Sequence, residues 1–239
     1  MAVIKLLSLN SILSRWNNQR AIPIKIPILD DTIGGLLHGH IHSVYGDSGV
    51  GKTIFCFRAI HYLFQQRNDA RILYSDFNGH LRISNLKKMI TEEKSLDQIE
   101  FFKPKSFTEQ IIFFRNLTED LHFPCDLIIL DTFFGSPLDA IDVLTKNQRL
   151  WKKRIYNHLL DLKHIAEKWN IPILLTNHLK TSKDGFNSES DREQYGNELL
   201  NLVVPISLLI YKQELKHKIE FRLFQDLVSS TEFPLVILQ

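Results

Sequence analysis

The chain is short of several things, and each shortage removes a class of protein. Only two of its 239 residues are cysteine, Cys56 and Cys125. That rules out a disulfide-stapled scaffold, and so few unpatterned cysteines imply reduced thiols in a reducing compartment. A chain of this length buries enough apolar surface to need no such staple. Charge of either sign is not in excess: 29 Lys and Arg stand against 27 Asp and Glu, a net charge of +2. The surface therefore carries no basic coat, and any nucleic-acid contact has to come from a local patch. No apolar run reaches the roughly 18 residues of a membrane span. The apolar stretch Ala2–Leu13 is broken by Lys5, Ser8, Asn10 and Ser11, so it lacks the clean core of a signal peptide. There is no internal repeat and no low-complexity tract. Alanine and valine are scarce, while Asn, Gln and His are plentiful, with ten His. Thermolabile amides on this scale point to an organism of moderate temperature.

What is present is an alternation of two periodicities. Residues 1–21 read as a leader with a short helix over Ile4–Trp16, and 22–239 as one core. In that core His40–Tyr45, Arg71–Ser75, Ile99–Phe102, Asp126–Asp131 and Pro172–Thr176 read as strands. Lys52–Gln66, Ser84–Ile90, Phe107–Leu121 and Gln148–Trp169 carry apolar residues at helical spacing. The runs ending at Asp131 and Thr176 are continuously apolar, the mark of strands buried on both faces. Alternating strands and helices imply a mostly parallel sheet flanked by helices. Ile206–Tyr211, Lys218–Phe224 and Leu235–Leu238 follow as consecutive strands, which implies an antiparallel extension. The fold class is α/β.

Gly46-Asp47-Ser48-Gly49-Val50-Gly51-Lys52-Thr53 matches G-x-x-x-x-G-K-[ST] at every fixed position. Glycines let the backbone turn tightly and aim its N–H groups inward, and the helix that follows adds its positive end, so the segment suits a phosphate chain. Lys52 is expected on the β- and γ-phosphates and Thr53 on Mg²⁺. An apolar strand before the motif and an amphipathic helix after it supply the context it requires. Asp131 ends a buried strand, the place from which a carboxylate holds Mg²⁺ directly or through water. Thr176-Asn177-His178 ends the next buried strand; Asn177 and His178 are candidates for sensing the γ-phosphate, the alternative being a local turn with Asn177 bonded to backbone. The polar segment Ser182–Gln194, with Lys183, Arg192 and the preceding Lys180 among four acids, is either a charge-balanced solvated loop or a DNA-contacting one. Lys152, Lys153 and Arg154 read as a solvated helix face.

The order Leu29-Asp30, Gly34-Gly35-Leu36, Gly39-His40-Ile41, Tyr45-Gly46 leads straight into the phosphate loop. Together with Arg71–Leu86, Asp126–Thr132 and Ile171–His178, it resembles the core of the RecA/RadA recombinase superfamily from about Ile28 onward. Phe102–Gln110 is similar to a segment of RadB, the short archaeal RadA relative, while Thr176-Asn177-His178 looks more like eukaryotic recombinase paralogs. The resemblance implies a RecA-like core, ATP and Mg²⁺ as cofactors, and service to homologous recombination on DNA. It also implies partners: other recombinase paralogs, the main strand-exchange recombinase, and single-stranded DNA reached through the complex. The stretch ahead of Ile22 is too short for the helix-hairpin-helix domain that precedes the core in full recombinases.

The departures from that pattern carry as much as the matches. Where the family places a water-orienting glutamate, this chain has Asn78, and an amide cannot accept a proton. Asp76, two positions earlier, is the one nearby acid and the candidate to replace it. The family's γ-phosphate-sensing Gln corresponds to His178. Gln225 and Asp226 stand where basic residues are usual. The segment Phe133–Asp142 carries Asp139 and Asp142 with no Lys or Arg, which repels phosphates. These features favour an ATP-binding paralog with weak or absent hydrolysis, working in a complex that is nuclear if the organism is eukaryotic and cytoplasmic otherwise. Two alternatives are a free-standing RadB-like, DNA-stimulated ATPase and a KaiC-like nucleotide switch with no DNA role.

Overall fold

In the computed structural model the described residues are 20–79, 81–90, 93–119, 125–134, 148–179, 194, 196–213, 218–225 and 236–238. The leader helix over Ile4–Trp16, the three basic residues Lys180, Lys183 and Arg192, and the acids Asp139, Asp142 and Asp226 lie outside them. The elements in chain order are β1 (Ala21–Ile22), α1 (Pro27–Ile33), β2 (Leu36–Leu37), β3 (Ile41–Gly46), α2 (Lys52–Gln66) and β4 (Ile72–Asp76). Then come α3 (Ile83–Met89), a 3-10 helix over Glu93–Gln98, β5 (Ile99–Phe102), α4 (Phe107–Glu119) and β6 (Leu127–Asp131). The last are α5 (Gln148–Trp169), β7 (Ile173–His178), α6 (Asn197–Val203), β8 (Ile206–Gln213), β9 (Lys218–Gln225) and β10 (Val236–Leu238).

Eight strands form one sheet in the order β10-β9-β8-β3-β7-β6-β4-β5. From β8 to β5 every neighbouring pair is parallel; β9 and β10 add on antiparallel, as the consecutive C-terminal strands imply. The small β1–β2 pair is separate and antiparallel. β3 lies between β8 and β7, and the chain leaves it through α2 to reach β4, two strands beyond β7. Helical connections then bring it back through β6 and β7. The crevice at the carboxyl ends of β3, β7, β6 and β4 therefore sits where the strand order reverses, the usual binding place of an open α/β sheet.

Strand alternation divides the core into two layers. Val44, Ile72, Tyr74, Ile129 and Leu174 pack with α2, while Leu73, Ile128, Leu130 and Leu175 pack with α4, α5 and α6. Phe133 and Phe134 follow β6 in a turn and point into the core. Both are fully buried against Phe107 and the ring of His158, because two aromatic side chains gain far more from the core than from water. Gly196 is needed there: a Cβ at that residue would run into the Phe134 ring.

The helix α1 was not legible as an element, although its signals were in the sequence. Pro27 stands in its first turn, and Gly34 closes it at φ 83° with its N–H on the Asp30 carbonyl. The Asp30 carboxylate accepts the backbone N–H groups of Ile24 (3.1 Å) and Lys25 (2.7 Å). Arg58 of α2 donates to the carbonyls of the same two residues. This clip fastens the entry segment to α2 and thereby to the loop that α2 follows.

Two buried histidines make the fold acid-sensitive. Burial lowers His42 and His158 from the ordinary 6.5 to about 3. The unfolded chain takes up these protons as pH drops through 6.5, whereas the folded chain declines them until about 3, so stability is lost progressively across that window. The urea midpoint is expected to fall steadily from pH 6.5 to pH 4, and His158→Phe to make that fall shallower; equal pH slopes for the two proteins contradict this.

Candidate nucleotide site

The loop between β3 and α2 is built by its glycines. Gly46, the last residue of β3, is flanked in register by His178 and Ile210, and a Cβ on it would collide with the Ile210 carbonyl. Gly49 (φ 76°) and Gly51 (φ 110°) occupy backbone conformations that other residues rarely adopt. Asp47, Ser48 and Gly49 form the exposed crest, and Val50 tucks back into the core. Gly51 is the N-cap of α2 and supplies no side-chain hydrogen bond. The positive end of a fifteen-residue helix is thus left for a partner of opposite charge.

Lys52 is 7% exposed. Its Nζ donates to the carbonyls of Gly46 (2.9 Å) and Asp47 (2.7 Å), so in this form the ammonium lies against its own loop. Burial lowers its pKa from 10.5 to about 8, with the nearby carboxylates of Asp131 and Asp47 opposing that shift. The amine is a buried charge held with incomplete compensation, which fits the residue that meets an anion.

Asp131 lies at the end of β6, in register with Asp76 of β4. Its carboxylate is buried and accepts three hydroxyls. Thr53 on α2 (2.8 Å) and Tyr74 on β4 (2.7 Å) donate to Oδ2, and Thr176 on β7 (2.6 Å) donates to Oδ1. Alternation explains the convergence: Asp131 shares a face with Ile129, Tyr74 with Ile72, and Thr176 with Leu174, all on the α2 side. His178 follows on that same face. Burial and the Lys52 charge lower it to about 4, so it is neutral at physiological pH. Its Nε2 is buried with no hydrogen-bond partner among the described residues. Asn177 falls on the opposite face by the same count. It is buried, and its Oδ1 accepts the backbone N–H of His178. Only one of the two sensor candidates therefore reaches the site.

The frame after β4 is occupied differently. Asp76 accepts the N–H of Gly79 on one oxygen (2.9 Å) and that of Leu81 on the other (3.0 Å), so its carboxylate is oriented by the turn after β4. Asn78 donates its amide to Thr132 Oγ1 at 3.0 Å, directly beside Asp131. Lys152 pairs with Glu198 of α6 (2.7 Å), and the Arg154 guanidinium lies over the Trp151 ring. Sequence reasoning missed Tyr74 and Thr176. The available signal was parity, since each is an even number of positions from an apolar residue that packs under α2.

No family model matches the chain. The DNA repair and recombination protein RadB of Methanococcus maripaludis (strain C5) is 30% identical over 174 residues, covering 66% of this chain and 74% of that protein. The chain belongs to the RadB family. The RadB proteins of Methanobrevibacter smithii and Methanocaldococcus jannaschii are 26% and 25% identical, over 74% and 67% of this chain and 76% and 75% of their own lengths. The crystal structure of the RadB recombinase superposes with a TM-score of 0.70 at 18% identity, over 90% of this chain and 94% of that one, and shows that the RecA-like fold is shared. Among the described residues, no helix of this RadB-family chain is long and apolar enough to cross a membrane.

The residues present fit a nucleotide triphosphate with its divalent ion. There is an uncapped helix end, a buried ammonium resting on carbonyls, and a carboxylate already ringed by donors beside Thr53. An unliganded charge held this way carries a penalty. That penalty is whole below about pH 8 and gone above 10.5, because only the unfolded chain keeps the lysine fully protonated between those values. Lys52→Met is therefore expected to raise the melting temperature of the nucleotide-free chain at pH 7 by roughly 2–8 °C. The gap should narrow as pH rises from 8 toward 10.5, and a variant that melts lower than the parent at pH 7 contradicts the reading.

Proposed function

We propose that this RadB-family chain is an ATP-binding recombinase paralog that assists DNA repair and homologous recombination within a multi-subunit complex and hydrolyses ATP weakly or not at all by itself. The observation that carries it is the juxtaposition of a complete phosphate cradle with an amide, Asn78, where the family places its glutamate. Lys52 and the first turn of α2 are positioned to bind phosphate oxygens. Thr53 and Asp131 are positioned to hold Mg²⁺, which when bound neutralises phosphate charge and orients the chain. His178, neutral and open at Nε2, is positioned to register the terminal phosphate. Asn78 can orient a water but cannot take its proton, and the Asp76 carboxylate is turned toward the backbone N–H groups of Gly79 and Leu81. Residues 1–21 serve in this reading as a leader to a core at 22–239, with Ala21 already paired onto β2.

The partners are other recombinase paralogs and the main strand-exchange recombinase, with single-stranded DNA engaged through the complex. The second reading, a free-standing RadB-like ATPase stimulated by DNA, draws on family membership alone and needs a base from Asp76 or from a neighbouring subunit. The relatives named above are archaeal and lend no support to a nuclear location.

Calorimetry is expected to detect ATP uptake by the purified chain and none by Lys52→Ala. Turnover should stay low with or without single-stranded DNA, and Asn78→Glu should raise it by at least about tenfold, in line with what a positioned base contributes. Brisk DNA-stimulated hydrolysis by the unaltered chain would sink the accessory reading in favour of the free-standing ATPase, which Asp76→Asn would then probe. Nucleotide uptake without any association with DNA or a recombinase would instead favour a switch with no DNA role.

A further inference from the structure

We infer that Tyr74 and Thr176 are positioning residues for a divalent ion. Their hydroxyls lock the Asp131 carboxylate from the strands on either side of it, so that its remaining lone pairs are aimed before the ion arrives. The inference rests on the reading of Gly46–Thr53 and Asp131 as a Mg²⁺–nucleotide site, and adds to it residues that the phosphate-loop motif does not contain.

β6 is flanked by β4 and β7, so Asp131 has a rigid neighbour on each side. Tyr74 reaches it from β4 at 2.7 Å, on Oδ2, and Thr176 from β7 at 2.6 Å, on Oδ1. The two donors divide the carboxylate between them and fix the rotation of its plane. The third donor, Thr53, comes from the first turn of α2 and also falls on Oδ2. It is the one donor attached to the loop that must accommodate phosphate. The strand hydroxyls are therefore the part of the arrangement that does not depend on the loop. Tyr74 is fully buried, and its ring is held between Phe57 and Phe101. A phenol so placed has no rotational freedom to lose when it donates. Thr176 is equally buried, and the backbone N–H of Phe133 on its own carbonyl ties β7 to the residue two beyond Asp131. A tyrosine in an otherwise apolar layer is costly unless its hydroxyl finds a partner, and here the partner is the ion-holding acid. Partners that orient a metal ligand typically contribute about 10–100-fold to metal affinity.

The test separates holding the ion from holding the fold. The affinity of the full chain for a non-hydrolysable ATP analogue is measured in excess Mg²⁺ and again in EDTA, for the parent, Tyr74→Phe and Thr176→Val, together with melting temperature without nucleotide. Tyr74→Phe is expected to keep the parent's affinity in EDTA and to lose about tenfold of the gain that Mg²⁺ confers. Thr176→Val should behave likewise, and it carries the test should Tyr74→Phe fail to fold. Thr176→Ser, which keeps the hydroxyl, should restore the gain. A Mg²⁺-dependent gain equal to the parent's in both hydroxyl-deleted variants overturns the inference. So does an equal loss with and without Mg²⁺, the mark of a merely structural role. A parent chain that binds no analogue under either condition would bring down the nucleotide reading itself, a result distinguishable from the other two.

Discussion

A carboxylate buried at the end of a central strand is tolerable only if hydrogen bonds replace its water. Asp131 meets that demand by drawing hydroxyls from α2, β4 and β7, and much of the architecture is arranged around it. Three strands have to end together on the same face, and the helix after the glycine loop has to begin directly above them. The β3–α2–β4 crossover supplies this by carrying α2 over the strands between β3 and β4. The second helical layer, with Phe133 and Phe134 driven into it, fixes the segment that leaves Asp131. The local chemistry of the site is thus a consequence of sheet order, and the clip between Asp30, Arg58 and the entry segment holds α2 in place above it.

The site also stores an unfavourable term. Lys52 is buried with its ammonium on two carbonyls of its own loop, which leaves it easier to deprotonate than an exposed lysine. The arrangement suits an anion, which would complete what the protein leaves incomplete. His178 contributes in the same sense: it stays neutral beside Lys52 and so adds no second positive charge there.

How much of this was legible in the sequence follows from where the constraints are local. The phosphate loop was readable because its glycines and its lysine are dictated by backbone geometry within eight residues. Asp131 was readable because a continuous apolar run exposes its polar terminus. Tyr74 and Thr176 were not read, because their role appears only when three strands far apart in sequence are laid side by side and counted by parity. Parity also separates His178 from Asn177, which the sequence left equivalent. Asp76 reads as a spare acid in the sequence, and only the fold shows that each of its oxygens holds a backbone N–H of the turn after β4. The burial of Phe133 and Phe134 depends on Phe107, His158 and Gly196, all far away in sequence, and the seven residues of α1 give little periodicity to read.

The most direct test of the account is an experimentally determined structure of the full chain with Mg²⁺ and a non-hydrolysable ATP analogue. The account predicts the triphosphate along residues 46–53, the ion against Thr53 and Asp131, and the Lys52 ammonium moved from the Gly46 and Asp47 carbonyls onto phosphate. A nucleotide seated elsewhere, or a Lys52 still bonded to those two carbonyls with phosphate present, would contradict it.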